Sequence, residues 1–242
     1  MIYTQAEFDI RCDWGEQGII NLAPISDVII VVDVLSFSTC VEIATNNGAI
    51  IFPYQWKDNS VLNYALSVNA EVASNKRKLI NGYSLSPSSL MNIPTNTRLV
   101  LPSPNGASLT LVVQQQAQVL TGCLRNCEAV AKFAQKHGKR ISVIPAGERN
   151  NETLRIALED MIGAGAILSH LQGTFSPEAK ASFAVFQSTK DNLLSTLKSC
   201  ISGKELISRS FTKDVELSAA YNISKCVPLF ANNAYTKVIH TS

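Results

Sequence analysis

The chain has 242 residues, of which 46% are hydrophobic and 17% charged. That length buries a sizeable core without disulfide or metal staples, and the apolar content excludes a disordered segment. Twenty-one Lys and Arg against nineteen Asp and Glu leave a formal charge of +2, too small an excess for a protein that tracks phosphate backbones, so no nucleic-acid partner is expected. Charge is scarcer than the roughly 25% of an average soluble domain, which predicts a homodimer or larger assembly with an apolar interface.

The stretch Met1–Trp14 carries Glu7, Asp9, Arg11 and Asp13, unlike a secretory leader. The longest strongly apolar run, Val28–Val32, is far short of the roughly 18 residues that cross a bilayer. A cytoplasmic protein with no membrane partner is the expectation. Cys12, Cys40, Cys123, Cys127, Cys200 and Cys226 are scattered without the paired spacing of a zinc site, so they read as reduced core residues.

In chain order, Asp27-Val-Ile-Ile-Val-Val-Asp33 is a β-branched run without alternation, which predicts a strand buried on both faces at the centre of a parallel sheet. Ser38 and Thr39 offer N-cap hydroxyls to a helix through Ala44, and an extended pattern resumes at Ile50–Phe52. The alternation recurs in a strand at Arg98–Leu101, a helix over Ala107–Gln116, a strand at Val119–Thr121, a helix from Asn126 to Lys136 and a strand at Arg140–Ile144. Beyond Pro145 the pattern predicts helices over Glu152–Leu171, Pro177–Gln187, Asp191–Cys200 and Asp214–Tyr221. Short extended pieces follow at Val227–Phe230 and Tyr235–Ile239. The expectation is an α/β layered domain with a mostly parallel central sheet flanked by helices and a helix-rich C-terminal third. No linker or repeat divides it, so residues 1–242 read as one compact domain.

Ligands of open parallel sheets bind outside the carboxyl ends of the strands. The loops there are Asp33-Val-Leu-Ser-Phe-Ser38-Thr39, Pro102-Ser-Pro-Asn105-Gly106, Gly122-Cys-Leu-Arg125-Asn126 and Pro145-Ala-Gly147-Glu148-Arg149. Small residues, hydroxyls, amides and helix N-termini at one edge make an anion cradle. Asp33 reads either as a cap for the following turn or as a ligand for a hard cation such as Mg²⁺. Glu159 and Asp160 are its possible partners, and Gly163 and Ala164 one turn beyond Asp160 predict that its face is closely packed and buried. A P-loop, an aspartyl-phosphate Asp-x-Asp motif and a Cys-x5-Arg motif are all absent from the sequence. Gly163-Ala-Gly165 lies within a predicted helix and reads as close packing. Of His137, His170 and His240, the first suits a helix end, and none forms a catalytic pattern.

Taken together, Asp33-Val-Leu-Ser-Phe-Ser-Thr, Leu101-Pro-Ser-Pro-Asn-Gly-Ala107, Val143-Ile-Pro-Ala-Gly-Glu-Arg149 and Leu154-Arg-Ile-Ala-Leu-Glu-Asp-Met-Ile-Gly-Ala-Gly165 resemble the motifs of the 2-phosphosulfolactate phosphatase (ComB-like) family. The resemblance implies a Mg²⁺-dependent phosphatase that takes a small phosphorylated acid, 2-phosphosulfolactate or a close analogue, on a self-associating α/β fold. It points to Asp33, Ser38, Thr39, Asn105, Gly106, Asn126, Gly147, Glu159 and Asp160 as the site. In that reading Asp33 and Asp160 hold the metal, and Glu159 orients or deprotonates the attacking water. Ser36 stands where the family usually has Arg, which makes Arg125, Arg149 and Arg155 candidates to bind the substrate's second anionic group. A non-catalytic binder of a phosphorylated or sulfonated metabolite is the alternative.

Overall fold

The structure, a computed structural model, describes residues 4–55, 58, 60–74, 76, 77, 82–113, 116–150 and 153–238. The N-terminal part runs β1 (Ile10–Cys12), α1 (Gly15–Leu22), β2 (Val28–Val32), α2 (Phe37–Asn46), β3 (Ile50–Tyr54), α3 (Ser60–Ser67) and β4 (Glu71–Val72). The middle runs β5 (Arg98–Pro102), α4 (Gly106–Val112), β6 (Gln118–Thr121), α5 (Cys127–His137) and β7 (Ile141–Pro145). A small hairpin of β8 (Glu148–Asn150) and β9 (Thr153–Arg155) leads into α6 (Leu158–Leu168). Then come α7 (Pro177–Thr189), α8 (Leu193–Ser199), α9 (Ile201–Ser208), α10 (Thr212–Ser218), β10 (Pro228–Ala231) and β11 (Ala234–Lys237).

Among the described residues nine strands form one sheet in the order β1-β7-β2-β6-β10-β11-β3-β5-β4. The pairings within β1-β7-β2-β6 and within β3-β5-β4 are parallel. The β10–β11 hairpin joins the two blocks through antiparallel pairings on both of its sides. The expected α/β layering with a mostly parallel sheet and a helical C-terminal part is the observed one. The β-branched run of β2 is wholly buried along its length. Its alternate residues separate cleanly: Val28, Ile30 and Val32 join the core under α5 and α6, whereas Ile29 and Val31 pack with Ile19, Leu22, Leu109 and Val113 of α1 and the α4 segment. Continuous apolarity is thus explained by helices on both faces.

β2 is third in the sheet order and not central, because the last hairpin of the chain inserts beside β6. The expected helix over Glu152–Leu171 is shorter, and its first part is β9; Glu152 itself lies outside the described residues. Thr153–Arg155 pairs with Glu148–Asn150, and tertiary pairing there overrides a helical sequence pattern. The expected Ala107–Gln116 helix ends at Val112, with residues 114 and 115 outside the described set, as are Ile239 and His240. Elements at β1, α1 and α9 were not anticipated. The close-packing reading of the α6 glycines holds: a Cβ on Gly165 would lie 2.1 Å from the Ser182 carbonyl oxygen of α7, and one on Gly163 would lie 2.5 Å from Val34 Cγ2. All six cysteines are buried and free.

Candidate active site

Asp33 ends β2 and is 5% exposed. Its Oδ2 accepts the Gly106 N–H at 2.9 Å and its Oδ1 the Phe37 N–H at 3.3 Å, so the loops after β2 and β5 meet on one carboxylate. Glycine is required at 106, since a Cβ there would fall 2.4 Å from Phe37 Cδ1 and 2.9 Å from Asp33 Oδ2. Burial raises the Asp33 pKa above the ordinary value and Glu159 adds to the rise, against the two N–H donors and the Arg77 charge.

Asp160, in the first turn of α6, is 3% exposed. Its Oδ1 accepts the Val34 N–H at 2.7 Å and its Oδ2 the Gly147 N–H at 2.9 Å. It therefore ties the β2–α2 turn to the β7–β8 turn. Burial, then Asp33, then Glu159 push its carboxyl well above the usual range. The sequence expectation that Asp160 is buried and partnered is met, its partners being backbone amides. The neighbouring Glu159 is buried as well, and its Oε2 has no hydrogen-bond partner among the described residues.

A cavity of about 440 Å³ opens beside Asp33. Its wall includes Ser36, Arg77, Ser103, Asn105, Glu148, Ser202 and Arg209. Glu148 of β8 is half-buried, and its Oε2 accepts from Asn105 Nδ2 at 3.0 Å. Burial, Asp33 and Glu159 raise its pKa to about 7, with Asn105 and Arg155 opposing. A carboxyl poised near neutrality in a cavity is suited to proton transfer.

Of the residues singled out in the sequence, Asp33 and Asn105 line this cavity, and Gly106 and Gly147 serve it by donating N–H groups to Asp33 and Asp160. Arg155 adjoins it, with Nη2 donating to Ser202 Oγ at 3.2 Å. Ser38 and Thr39 are buried inside α2 and cap nothing. The Ser38 hydroxyl accepts the Asp33 N–H at 2.8 Å and lies 2.7 Å from Thr121 Oγ1, while Thr39 donates to the Val34 carbonyl at 2.8 Å. Asn126 accepts from Cys123 N–H and donates to the Cys226 carbonyl, so it is occupied within the fold. Arg125 forms a buried ion pair with Glu42 and donates to the Leu217 carbonyl at 3.1 Å. Arg149 pairs with Glu16 at the surface, beside a second depression that also touches Asn105. His137 closes its helix with Nδ1 2.8 Å from the Phe133 carbonyl.

The sequence reading missed Glu148 as a site residue and missed Arg77, Arg209 and Asp214 altogether. Glu148 stands in a motif that had been noticed, but its role depends on the hairpin fold of β8 and β9. Arg77 is joined to Ser36 and Asp214 only by contacts across 41 and 137 residues, which leave no local pattern.

Among the described residues no three His, Cys, Asp or Glu side chains form a group that could hold a metal ion. A closed cage of such side chains is therefore not built among the described residues. An open Mg²⁺ site needs only one or two carboxylates, with substrate oxygens and water completing the shell. The donor chemistry of Asp33 and Asp160 fits that demand, since each oxygen accepts one N–H and keeps a second lone pair, although of the two only Asp33 lines the cavity. The unpartnered Glu159 Oε2 and the rise that Asp33 and Glu159 impose on Asp160 are what a nearby cation would relieve.

A layered α/β scaffold whose strand-end loops enclose carboxylates, hydroxyls and guanidinium groups defines a protein that handles a small anion. A profile of the 2-phosphosulpholactate phosphatase family matches residues 19–233, and the chain belongs to that family. A protein of Caldanaerobacter subterraneus subsp. tengcongensis named probable 2-phosphosulfolactate phosphatase is 23% identical over 84% of this chain and 88% of its own. One from Thermotoga petrophila with the same name is 26% identical over 88% and 95%. The 2-phosphosulfolactate phosphatase of Methanothermobacter thermautotrophicus is 31% identical over 54% of this chain and 55% of its own. Each bears the name of a phosphoric monoester hydrolase. No helix among the described residues is long and apolar enough to cross a membrane.

Proposed function

We propose that the chain is a Mg²⁺-dependent phosphatase that hydrolyses 2-phosphosulfolactate, or a close analogue, to the hydroxy acid and inorganic phosphate. The observation that carries this reading is the meeting of Asp33, Glu148 and Arg77 on one cavity wall in a chain of this family. Asp33 and Asp160 would hold the metal, which when bound supplies positive charge to the phosphoryl oxygens. The other work falls to the chain's own groups. In a loose transition state charge builds on the equatorial oxygens and on the departing ester oxygen. Asn105 and Ser103 are polar groups at hand for binding the phosphoryl oxygens, and Arg77 lines the same cavity for the substrate's other acidic oxygens. As water forms the new P–O bond and the ester P–O bond breaks, Glu148, whose pKa is raised to about 7, gives its proton to the departing oxygen and is reprotonated by the proton the water loses; the orienting of that water stays with Glu159 as in the sequence reading. Glu159, buried next to Asp160 in the first turn of α6, would orient the attacking water or sit behind the metal ligands.

The same reading takes the protein to be cytoplasmic and self-associated, in keeping with six free cysteines and with exposed Ile20, Leu154, Ile156 and Ile201. The test is phosphate release from 2-phosphosulfolactate with added Mg²⁺, in chelator, and after Mg²⁺ or Mn²⁺ is restored. Loss in chelator and recovery with metal is the expected result. Undiminished release in excess chelator removes the metal, and no release under any condition removes the phosphatase reading.

A further inference from the structure

Arg77 is held in an unusual way for a cavity arginine. Its Nη1 donates to Asp214 Oδ2 at 3.1 Å and its Nη2 to Ser36 Oγ at 2.9 Å. Its guanidinium carbon also lies 5.8 Å from the centre of the Phe211 ring. Asp214 is fully buried and is itself fixed, accepting from Ser86 Oγ at 2.6 Å and from the Ser88 N–H at 3.0 Å. The side chain of Arg77 is 13% exposed, and that exposed part faces the cavity that Asp33 and Glu148 also line. A guanidinium has five N–H donors, so these two bonds leave further donors for a ligand.

Arg209 lies 5.9 Å from the same Phe211 ring and lines the same cavity. Among the described residues its acid partner is Glu205, an exposed i,i+4 pair that holds it weakly. One cation is therefore locked by a buried acid and the second is loosely tethered, both flanking one aromatic ring. Planar forks of this kind suit carboxylate and sulfonate groups, which a serine hydroxyl alone binds less well.

We infer that Arg77, oriented by Asp214 and Ser36 and assisted by Arg209, is the specificity-determining residue that binds a second acidic group of the substrate, a sulfonate or carboxylate carried beside the phosphate ester. The inference rests on the phosphatase reading and names the class of ester preferred: a compact polyanion and not a simple monoester. Asp214 is a positioning residue in this scheme. Arg77 and Asp33 line one cavity, which is where the two ends of such a ligand would lie.

The experiment compares kcat and KM for 2-phosphoglycolate and for phenyl phosphate in the wild type, Arg77→Ala, Arg77→Lys, Asp214→Asn and the surface control Lys132→Ala. Calorimetry of sulfoacetate, which carries two acid groups and no phosphate, runs alongside. Arg77→Ala should lower the preference for 2-phosphoglycolate over phenyl phosphate by roughly thirtyfold, mainly through KM, as expected for loss of charge-assisted hydrogen bonds. Arg77→Lys keeps the charge without the fork and should recover part of that loss. Asp214→Asn should shift KM in the same direction by a smaller factor with kcat preserved. Sulfoacetate should bind the wild type and the control but not Arg77→Ala.

Equal loss for both esters makes Arg77 a phosphoryl clamp or a structural residue and overturns the inference. So does equal binding of sulfoacetate by the wild type and Arg77→Ala. If Arg77→Ala does not fold, Arg77→Lys carries the test, and an unchanged ester preference in it overturns the inference. If the wild type releases no phosphate from either ester, the phosphatase reading fails. Loss of sulfoacetate binding on changing Arg77 would even then support the second-anion site.

Discussion

Asn105 Nδ2 donates to Glu148 Oε2 at 3.0 Å, so the amide that opens α4 reaches across to the hairpin and holds the one carboxyl whose pKa is raised to about 7. The direction of that shift has two consequences. Burial is its first cause, so the ionised form is disfavoured in the fold and the proton is retained into the neutral range.

For activity, kcat should fall as pH rises through about 7, because Glu148 then loses the proton it donates. Glu148→Gln should lower kcat by roughly two orders of magnitude and remove that limb of the profile. A pH–rate profile of both proteins, with buffers matched in ionic strength, checks it. For stability, the folded pKa lies above the unfolded one. The stabilisation is therefore complete below the ordinary carboxylate range and is lost as pH rises through about 7. Denaturant midpoints from pH 4.5 to 8 should decline in the metal-free wild type and decline less in Glu148→Gln.

Asp33 and Asp160 should respond differently to truncation. Asp33→Asn keeps an acceptor for the Gly106 N–H but sets its NH2 against the Phe37 N–H, which loses a 3.3 Å bond; with a buried charge removed at the same time, metal-free stability should change by about 1 kcal/mol while turnover drops by roughly a hundredfold. Asp160→Ala leaves the buried N–H groups of Val34 and Gly147 without acceptors and should cost about 2 kcal/mol or more. Thermal melts in chelator beside phosphate-release rates separate the two. Near-normal turnover by Asp33→Asn at saturating Mg²⁺ would remove Asp33 from the metal.

Gly165→Ala tests the packing of α6 on α7. The added methyl would sit 2.1 Å from a backbone carbonyl that has no side-chain freedom to yield, so a loss of about 1–3 kcal/mol is expected. Gly82→Ala is no control for this, since Gly82 has φ +97°; Ala129→Gly on α5 serves better. A Gly165→Ala midpoint equal to wild type would mean that α7 shifts freely.

Self-association is checked by light scattering at micromolar concentration. A mass of at least twice the chain's is expected, and Ile156→Lys on the exposed segment between β9 and α6 should lower it if that apolar patch is the covered surface. A monomer across the concentration range would contradict the expectation drawn from scarce charge.

The parts of the fold that were legible in the sequence are those whose pattern is local. β2 announced itself because both of its faces are covered, and the glycines of α6 because small residues at one-turn spacing mark a close crossing. Asp33 was legible as an acid at a strand end. Arg77 and Asp214 were not, because what makes them a pair is a contact between a loop after β4 and the start of α10. Arg125 misled for the opposite reason: it follows a strand as a ligand-binding residue would, yet its guanidinium is consumed by Glu42 within the core. The helix expected over Glu152–Leu171 does not hold at Thr153–Arg155, because pairing with β8 outweighs local propensity there.

The β10–β11 hairpin has a consequence for synthesis. Its strands come from residues 228–237, yet they fill the middle of the sheet between β6 and β3. Until they leave the ribosome, the growing chain holds two half-sheets, each with an open edge that invites pairing with another chain. Closing that gap requires pairing across more than a hundred residues, Leu229 with Leu120 and Tyr235 with Ile51, which makes it a slow step of high contact order. The hairpin is thus the keystone, and a nascent chain that still lacks it displays strand edges that the folded sheet hides.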